Sequence, residues 1–165
     1  MKSASVTVDG QLISTISKGL LVFAAIDKND TIKESERLAR DVLKVKLWEN
    51  ADGAKWKRNV TDIDGEVLCV SQFTLLASVK KGHPSFHKSA PPNKGKEIYD
   101  SFIKNVRAGY QEDRVKDGVF QAMMDVSLVN DGPVGVDYQC LDEAVSDAAQ
   151  CASDEVWKCT LTIMF

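Results

Sequence analysis

Two short runs, Leu20 to Ile26 and Val67 to Val70, are apolar without interruption. Each reads as a strand buried on both faces, which sets a sheet at the centre of the fold. The second run follows a turn at Asp64-Gly65, and the polar residues Ser71, Gln72 and Thr74 emerge at its exit. A strand exit can present chemistry without breaking the core behind it. Two hydroxyls and an amide stand there, yet no acid, base or metal ligand accompanies them. The segment alone names no reaction.

Around these strands β and α signals alternate. Ala4, Val6 and Val8 share one face of a strand, and Asp9-Gly10 supplies a two-residue hairpin turn into a partner running through Leu12-Ile13 toward Ile16. Thr31, with Glu34 three residues on, forms a capping box that starts a helix. Its stripe is Leu38, Val42 and Val45, broadened by Ala39, Leu43 and Leu47, and it is expected to end at Asn50 to Gly53. Trp48 reads as a packing aromatic rather than a base-stacking platform. Ser71 to Leu75 is expected to stay extended, and Ser78 to Asn93 to be a loop, since it holds three of the four prolines.

Residues 94 to 114 predict a second, covering helix with Ile98, Phe102, Val106 and Tyr110 on one stripe. Val119 to Met124 and Val126 to Val129 read as further strand leading into Asn130-Asp131-Gly132-Pro133. Met123 and Met124 read as soft core filler. Beyond that, Leu141, Ala144, Val145, Ala148, Ala152 and Val156 take helical spacing, and Cys159 to Phe165 is strand-like.

The 165 residues, 44% hydrophobic and 27% charged, suit one soluble domain, 1–165, with 141–165 as an atypical tail. No apolar run reaches the eighteen or so residues that span a bilayer, and Met1 to Ser5 lacks a signal-peptide core, so a cytoplasmic protein is expected. Cysteines at 69, 140, 151 and 159 form no Cys-x-x-Cys pair and read as reduced thiols. A net charge of −3 argues against a protein that coats nucleic acid. Local basic clusters at Lys44 to Lys46, Lys55 to Arg58 and Lys80-Lys81 leave open a single patch facing a cleft, or simply solvated lysine. His83 and His87 suggest half a metal site, and Ser85 beside them a nucleophile with its base. No Cys, Asp or Glu in the loop completes either arrangement.

Read as a pair, Ser71-Gln72-Phe73-Thr74-Leu75 and Asn130-Asp131-Gly132-Pro133-Val134 resemble the signature of the D-aminoacyl-tRNA deacylases. Gly19-Leu20-Leu21-Val22, Lys46-Leu47-Trp48, Gly82-His83-Pro84-Ser85-Phe86 and Gly118-Val119-Phe120 running into Ala122-Met123-Met124 match as well, in order, over residues 3 to 134. The resemblance implies an α/β fold with a curved, mixed, barrel-like sheet and covering helices, assembled as a two-fold homodimer. It implies hydrolysis of the ester in D-aminoacyl-tRNA at the acceptor end, with L esters spared, and neither cofactor nor metal.

By resemblance, Ser71, Gln72, Phe73 and Thr74 are the catalytic segment, and Asn130, Gly132, Pro133 and Met124 bind substrate. Backbone N–H groups at the strand exit would meet the developing oxyanion, with Thr74 in a positioning role. In the family the Gly-Pro bond is cis and the segment enters the other subunit's site, where its carbonyls hold the ammonium group. A D side chain then points to open space and an L side chain meets backbone.

Three features depart from the family. One further strand with an arginine usually precedes the segment matching Lys2-Ser3-Ala4, Gly135 stands where a threonine is usual, and the tail matches no closing strand. These keep open a catalytically silent dimer that binds RNA or a partner; a related deacylase for glycine or a small L-amino acid is a further alternative, against which the intact Ser71-Gln72-Phe73-Thr74-Leu75 favours D-specific activity.

Overall fold

A computed structural model describes residues 1–131, 135–140 and 158–165. The first hairpin is as expected: β1 (Ser3–Val8) pairs antiparallel with β2 (Gln11–Ile16). Asp9 and Gly10 carry φ of 50° and 78°, the left-handed pair that a two-residue turn needs. The apolar run forms β3 (Gly19–Ala25), followed by helix α1 (Ile32–Lys44). Both halves of the Thr31–Glu34 capping box are present.

Helix α1 stops at Lys44, short of the expected Asn50 to Gly53. Val45 turns extended, because the backbone around Leu47 and Trp48 is bonded to Arg58 instead of to the helix. Trp48 packs edge-on to Phe165 at 6.2 Å.

β4 (Glu66–Ser71) lies parallel to β3, in the register Gly19↔Glu66 through Ala24↔Ser71. Extended structure does not continue to Leu75 as expected. Gln72 gives its N–H to the Ala24 carbonyl at 2.8 Å, and Phe73–Leu76 then closes into a 3-10 turn. The expected loop contains a small hairpin, β5 (Ser78–Lys80) with β6 (His83–Ser85), turned by left-handed Lys81 and Gly82. Helix α2 (Pro92–Gly109) buries Ile98, Phe102 and Val106 as its stripe predicts, and ends before residue 114.

β7 (Val115–Asp117) pairs parallel with β4 and was not foreseen. Residues 119 to 124, expected as strand, are irregular: Gln121 has φ 65°, and the Ala122 N–H returns to the Val119 carbonyl. Met123 is 91% exposed and so is not core filler, whereas Met124 packs on the smaller apolar cluster. β8 (Asp125–Val129) pairs antiparallel with β1, β9 begins at Gly135 (Gly135–Cys140), and β10 (Lys158–Met164) carries the strand-like end. Gly132, Pro133 and the expected helical spacing from Leu141 to Val156 lie outside the described residues.

These elements stack in three layers. A five-stranded mixed sheet, ordered β7-β4-β3-β10-β9, lies between the two helices and a three-stranded sheet, β2-β1-β8. Alternate residues of the central strands serve opposite layers. Leu20, Val22, Val67 and Cys69 pack with α1 and α2, while Leu21, Leu68 and Val70 pack with Ala4, Val6 and Ile16. The strand exits of β3 and β4 thereby open at one edge of the stack.

Candidate active site

A cleft of about 690 Å³ sits at those exits. Ala24 and Ile26 follow β3 into it, Val70 and Ser71 end β4, and Gln72, Phe73 and Thr74 form its next wall. Ser89, Ala90, Pro92 and Gly95 close one side from the start of α2, and residues 120 to 124 with Val126 close the other. The four residues of the predicted catalytic segment and Met124 therefore line one cavity.

The wall turns sharply at the motif for a local reason. Once Gln72 is tied to Ala24, the chain leaves the sheet, and the Leu75 and Ala77 N–H groups bond back to the Gln72 and Thr74 carbonyls. The N–H groups of Phe73 and Thr74 open this turn and so have no acceptor within it. The Gln72 Nε2 donates to Thr74 Oγ1 at 2.5 Å, fixing the hydroxyl relative to the turn. Ser89 Oγ donates to the Phe73 carbonyl at 3.2 Å, and the Phe73 ring meets Phe86 edge-on at 5.0 Å.

Among the described residues none lining the cleft carries an ionisable side chain; their polar groups are the side chains of Ser71, Gln72, Thr74, Ser89 and Gln121 and the backbone. Titratable groups stand behind the wall instead. Tyr99 packs on Phe120 at 5.7 Å and donates its hydroxyl to Asp117 Oδ1 at 2.6 Å. Burial raises the Asp117 carboxyl above its ordinary range, against the pull of the Tyr99 bond. Burial likewise pushes the Cys69 thiol far up, which makes it inert in the folded chain. Ser85 and His87 do meet, at 3.0 Å between Oγ and Nδ1, but both belong to the loop outside the cleft. Among the described residues no three His, Cys, Asp or Glu side chains gather as a metal site.

Of the second motif, the described residues Asn130 and Asp131 are not brought to this cleft within one chain. Val126 lines the cleft, and β8 then runs away from it, so Asn130 lies four residues further, roughly 13 Å at strand rise. Asp131 reaches a different groove beside Met1, Lys18 and Phe165, where its carboxylate is 3.5 Å from Lys2 Nζ. Reading the sequence alone missed the Ser89 to Gly95 wall and the Phe73–Phe86 contact. The Pro91-Pro92 helix start was the available signal for the first, since proline is favoured at a helix's first turn.

The family model described as D-Tyr-tRNA(Tyr) deacylase matches residues 1–139. A D-aminoacyl-tRNA deacylase of Yarrowia lipolytica is 53% identical over 140 residues, covering 83% of this chain and 91% of that protein. The Saccharomyces cerevisiae D-aminoacyl-tRNA deacylase is 41% identical over 137 residues, covering 82% and 91%. A solved structure of a c-Myc DNA Unwinding Element Binding Protein superposes with a TM-score of 0.77 at 41% identity, over 81% of this chain and 89% of that one. That of a probable eukaryotic D-amino acid tRNA deacylase gives 0.66 at 18% identity, over 77% and 88%, a likeness of fold alone.

Proposed function

This chain belongs to the D-Tyr-tRNA(Tyr) deacylase family, and from that premise we propose that it hydrolyses D-aminoacyl-tRNA at the cleft beneath Ser71 to Thr74 and spares the L ester. The observation that carries the reading is that the described residues lining that cleft, Ser71, Gln72 and Thr74 among them, offer hydroxyls, amides and backbone groups and no ionisable side chain. The ester to terminal ribose is already activated, with a ribose hydroxyl beside it. Water adds to its carbonyl, the ribose oxygen leaves with a proton, and free D-amino acid and tRNA result. The site's part is to hold the ester and meet the negative charge that develops on the carbonyl oxygen. The Phe73 and Thr74 N–H groups suit that charge, and Gln72 holds the Thr74 hydroxyl in place. No cofactor is required, because the reaction consumes only water.

Chirality is read by Gly132-Pro133, whose carbonyls take the ammonium group, with Asn130 beside them and Met124 shaping the pocket. Asn130 stands at the far end of β8 from its own chain's cleft, which favours a site completed by a second copy in a two-fold dimer. A single domain with a curved, barrel-like central sheet, working in the cytoplasm, belongs to the same reading. No helix among the described residues is long and apolar enough to cross a membrane.

The test is hydrolysis of D-Tyr-tRNA against L-Tyr-tRNA by the purified chain, with its mass in solution recorded on the same sample. Loss of the D ester alone, from a dimer, is the expected result. A folded dimer that hydrolyses neither ester would instead be the silent binding protein. Loss of a glycyl or small L ester in preference would indicate the related deacylase. Gly132→Ala should erode D-selectivity, since a methyl group there intrudes on the substrate's α-carbon.

A further inference from the structure

Between Glu66 and Glu97 the sequence contains no acidic residue, while it carries Lys80, Lys81, Lys88, Lys94 and Lys96. Both ends of this stretch line the cleft, Val70 to Thr74 on one side and Ser89, Ala90, Pro92 and Gly95 on another. At the rim the Lys28 N–H donates to the Lys88 carbonyl at 2.8 Å, and Lys94 Nζ donates to the Lys28 carbonyl at 2.6 Å. The adjoining Ala90 N–H bonds to the carbonyl of Ile26, and both of those residues line the cleft. The Lys28 and Lys88 backbones are thus tied to each other next to the cleft-lining Ile26–Ala90 pair, and the Lys94 ammonium is tied to the Lys28 carbonyl.

Among the described residues no carboxylate lies within ion-pair distance of Lys28, Lys88 or Lys94. Asp27 and Asp30 are buried, and their carboxylates accept the Asn29 and Asp27 N–H groups respectively. Among the described residues Lys28, Lys80, Lys81 and Lys88 enter no ion pair, whereas Lys96 is matched by Asp100 at 2.6 Å. Beside this rim Phe73 and Phe86, 56% and 38% exposed, present an aromatic pair at the same mouth. Cations along a groove with an exposed aromatic step are the combination that holds a single-stranded nucleic acid end, phosphates on the lysines and a base on the ring.

We propose that the rim formed by Lys28, Lys88 and Lys94, continued by Lys80 and Lys81 on the β5–β6 hairpin and by the Phe73–Phe86 pair, is the RNA-backbone subsite that carries the single-stranded acceptor end into the cleft. This rests on the deacylase reading, which requires the ester end inside the cleft and hence its preceding phosphodiesters across this rim. It also singles out one of the three basic clusters in the sequence. Lys55 flanks the separate groove that holds Asp131, away from the motif.

The experiment is binding of a fluorescently labelled, uncharged tRNA acceptor-stem RNA ending in its single-stranded 3′ tail, titrated across about 50 to 200 mM salt. Compared are the wild type, a Lys28→Gln/Lys80→Gln/Lys81→Gln/Lys88→Gln variant, and Lys55→Gln/Lys57→Gln, with each melting temperature recorded. Lys94 is kept because it also holds Lys28. The rim variant should bind at least about tenfold more weakly, with a salt slope shallower by about 0.7 for each lysine that meets a phosphate. The Lys55→Gln/Lys57→Gln protein should match the wild type. A folded rim variant with wild-type affinity and slope, or a slope lost only in the Lys55→Gln/Lys57→Gln protein, would overturn the proposal. If the wild type binds RNA through the rim yet hydrolyses no D-Tyr-tRNA, the deacylase reading fails and the rim stands.

Discussion

Gly19 is the position at which a single methyl group should do most harm. A Cβ built there lies 1.9 Å from the Glu66 carbonyl oxygen and 2.6 Å from the Glu66 nitrogen. Ordinary contact begins at 3.4 Å, so the two strands must part by about 1.5 Å, and the obstacle is backbone that no rotamer change can move. Gly19↔Glu66 is the first pair of the parallel β3–β4 ladder whose last pair, Ala24↔Ser71, leads into the Ser71 to Thr74 wall of the cleft. Losing about two ladder hydrogen bonds at about 1 kcal/mol each, with about 1–3 kcal/mol of overpacking, gives about 3–5 kcal/mol for Gly19→Ala. That is a large part of the roughly 5–15 kcal/mol that holds a domain together, and should lower Tm by about 6–20 °C. Urea unfolding of Gly19→Ala beside Gly10→Ala separates crowding from backbone strain. Gly10 has φ 78° but nothing within 4 Å of its Cβ, so its cost should be only about 1–2 kcal/mol. A Gly19→Ala protein within about 1 kcal/mol of wild type would refute the close-approach argument.

Other consequences are testable on the same sample. Thr31→Ala removes the side chain that caps Lys33 N–H and that Glu34 reaches back toward, and should cost about 1 kcal/mol in urea unfolding; no change would mean the capping box contributes nothing. Asp117 has a folded pKa raised by burial, so the folded state holds that proton more tightly and its stability falls as pH rises from the ordinary carboxylate value through the raised one. Asp117→Asn keeps an acceptor for Tyr99 and should remove that fall, gaining on wild type as pH rises above the ordinary carboxylate value. A variant whose stability tracks wild type across that range would show that the charge carries no cost.

The sequence made local chemistry legible and non-local pairing much less so. Asp9-Gly10, the Thr31–Glu34 box and the two apolar strands each rest on neighbouring residues, and each appears where expected. The turn after Ser71 does not, because it begins with a bond from Gln72 to Ala24 on another strand. Helix α1 ends early for a similar reason, its continuation being captured by Arg58. The Lys81-Gly82 hairpin was hidden in a loop that lacked the usual Asn or Asp turn signal. Insertion of β10 between β3 and β9 joins residues more than a hundred positions apart, which no pattern along the chain announces. For the candidate site, the Ser71 to Thr74 segment was visible as a motif. The distance of Asn130 from it, which favours a second copy completing the site, emerged only in the folded chain.

The central claim is that backbone groups at the Ser71 exit, and no side-chain nucleophile, carry the ester hydrolysis. The measurement that reaches it most directly is the single-turnover rate of D-Tyr-tRNA hydrolysis by Thr74→Ala at saturating enzyme. With Thr74 only positioning the substrate, the rate should fall by no more than about tenfold. A loss of about 10⁴-fold or greater in a folded variant, the scale on which a true nucleophile's removal registers, would contradict the account.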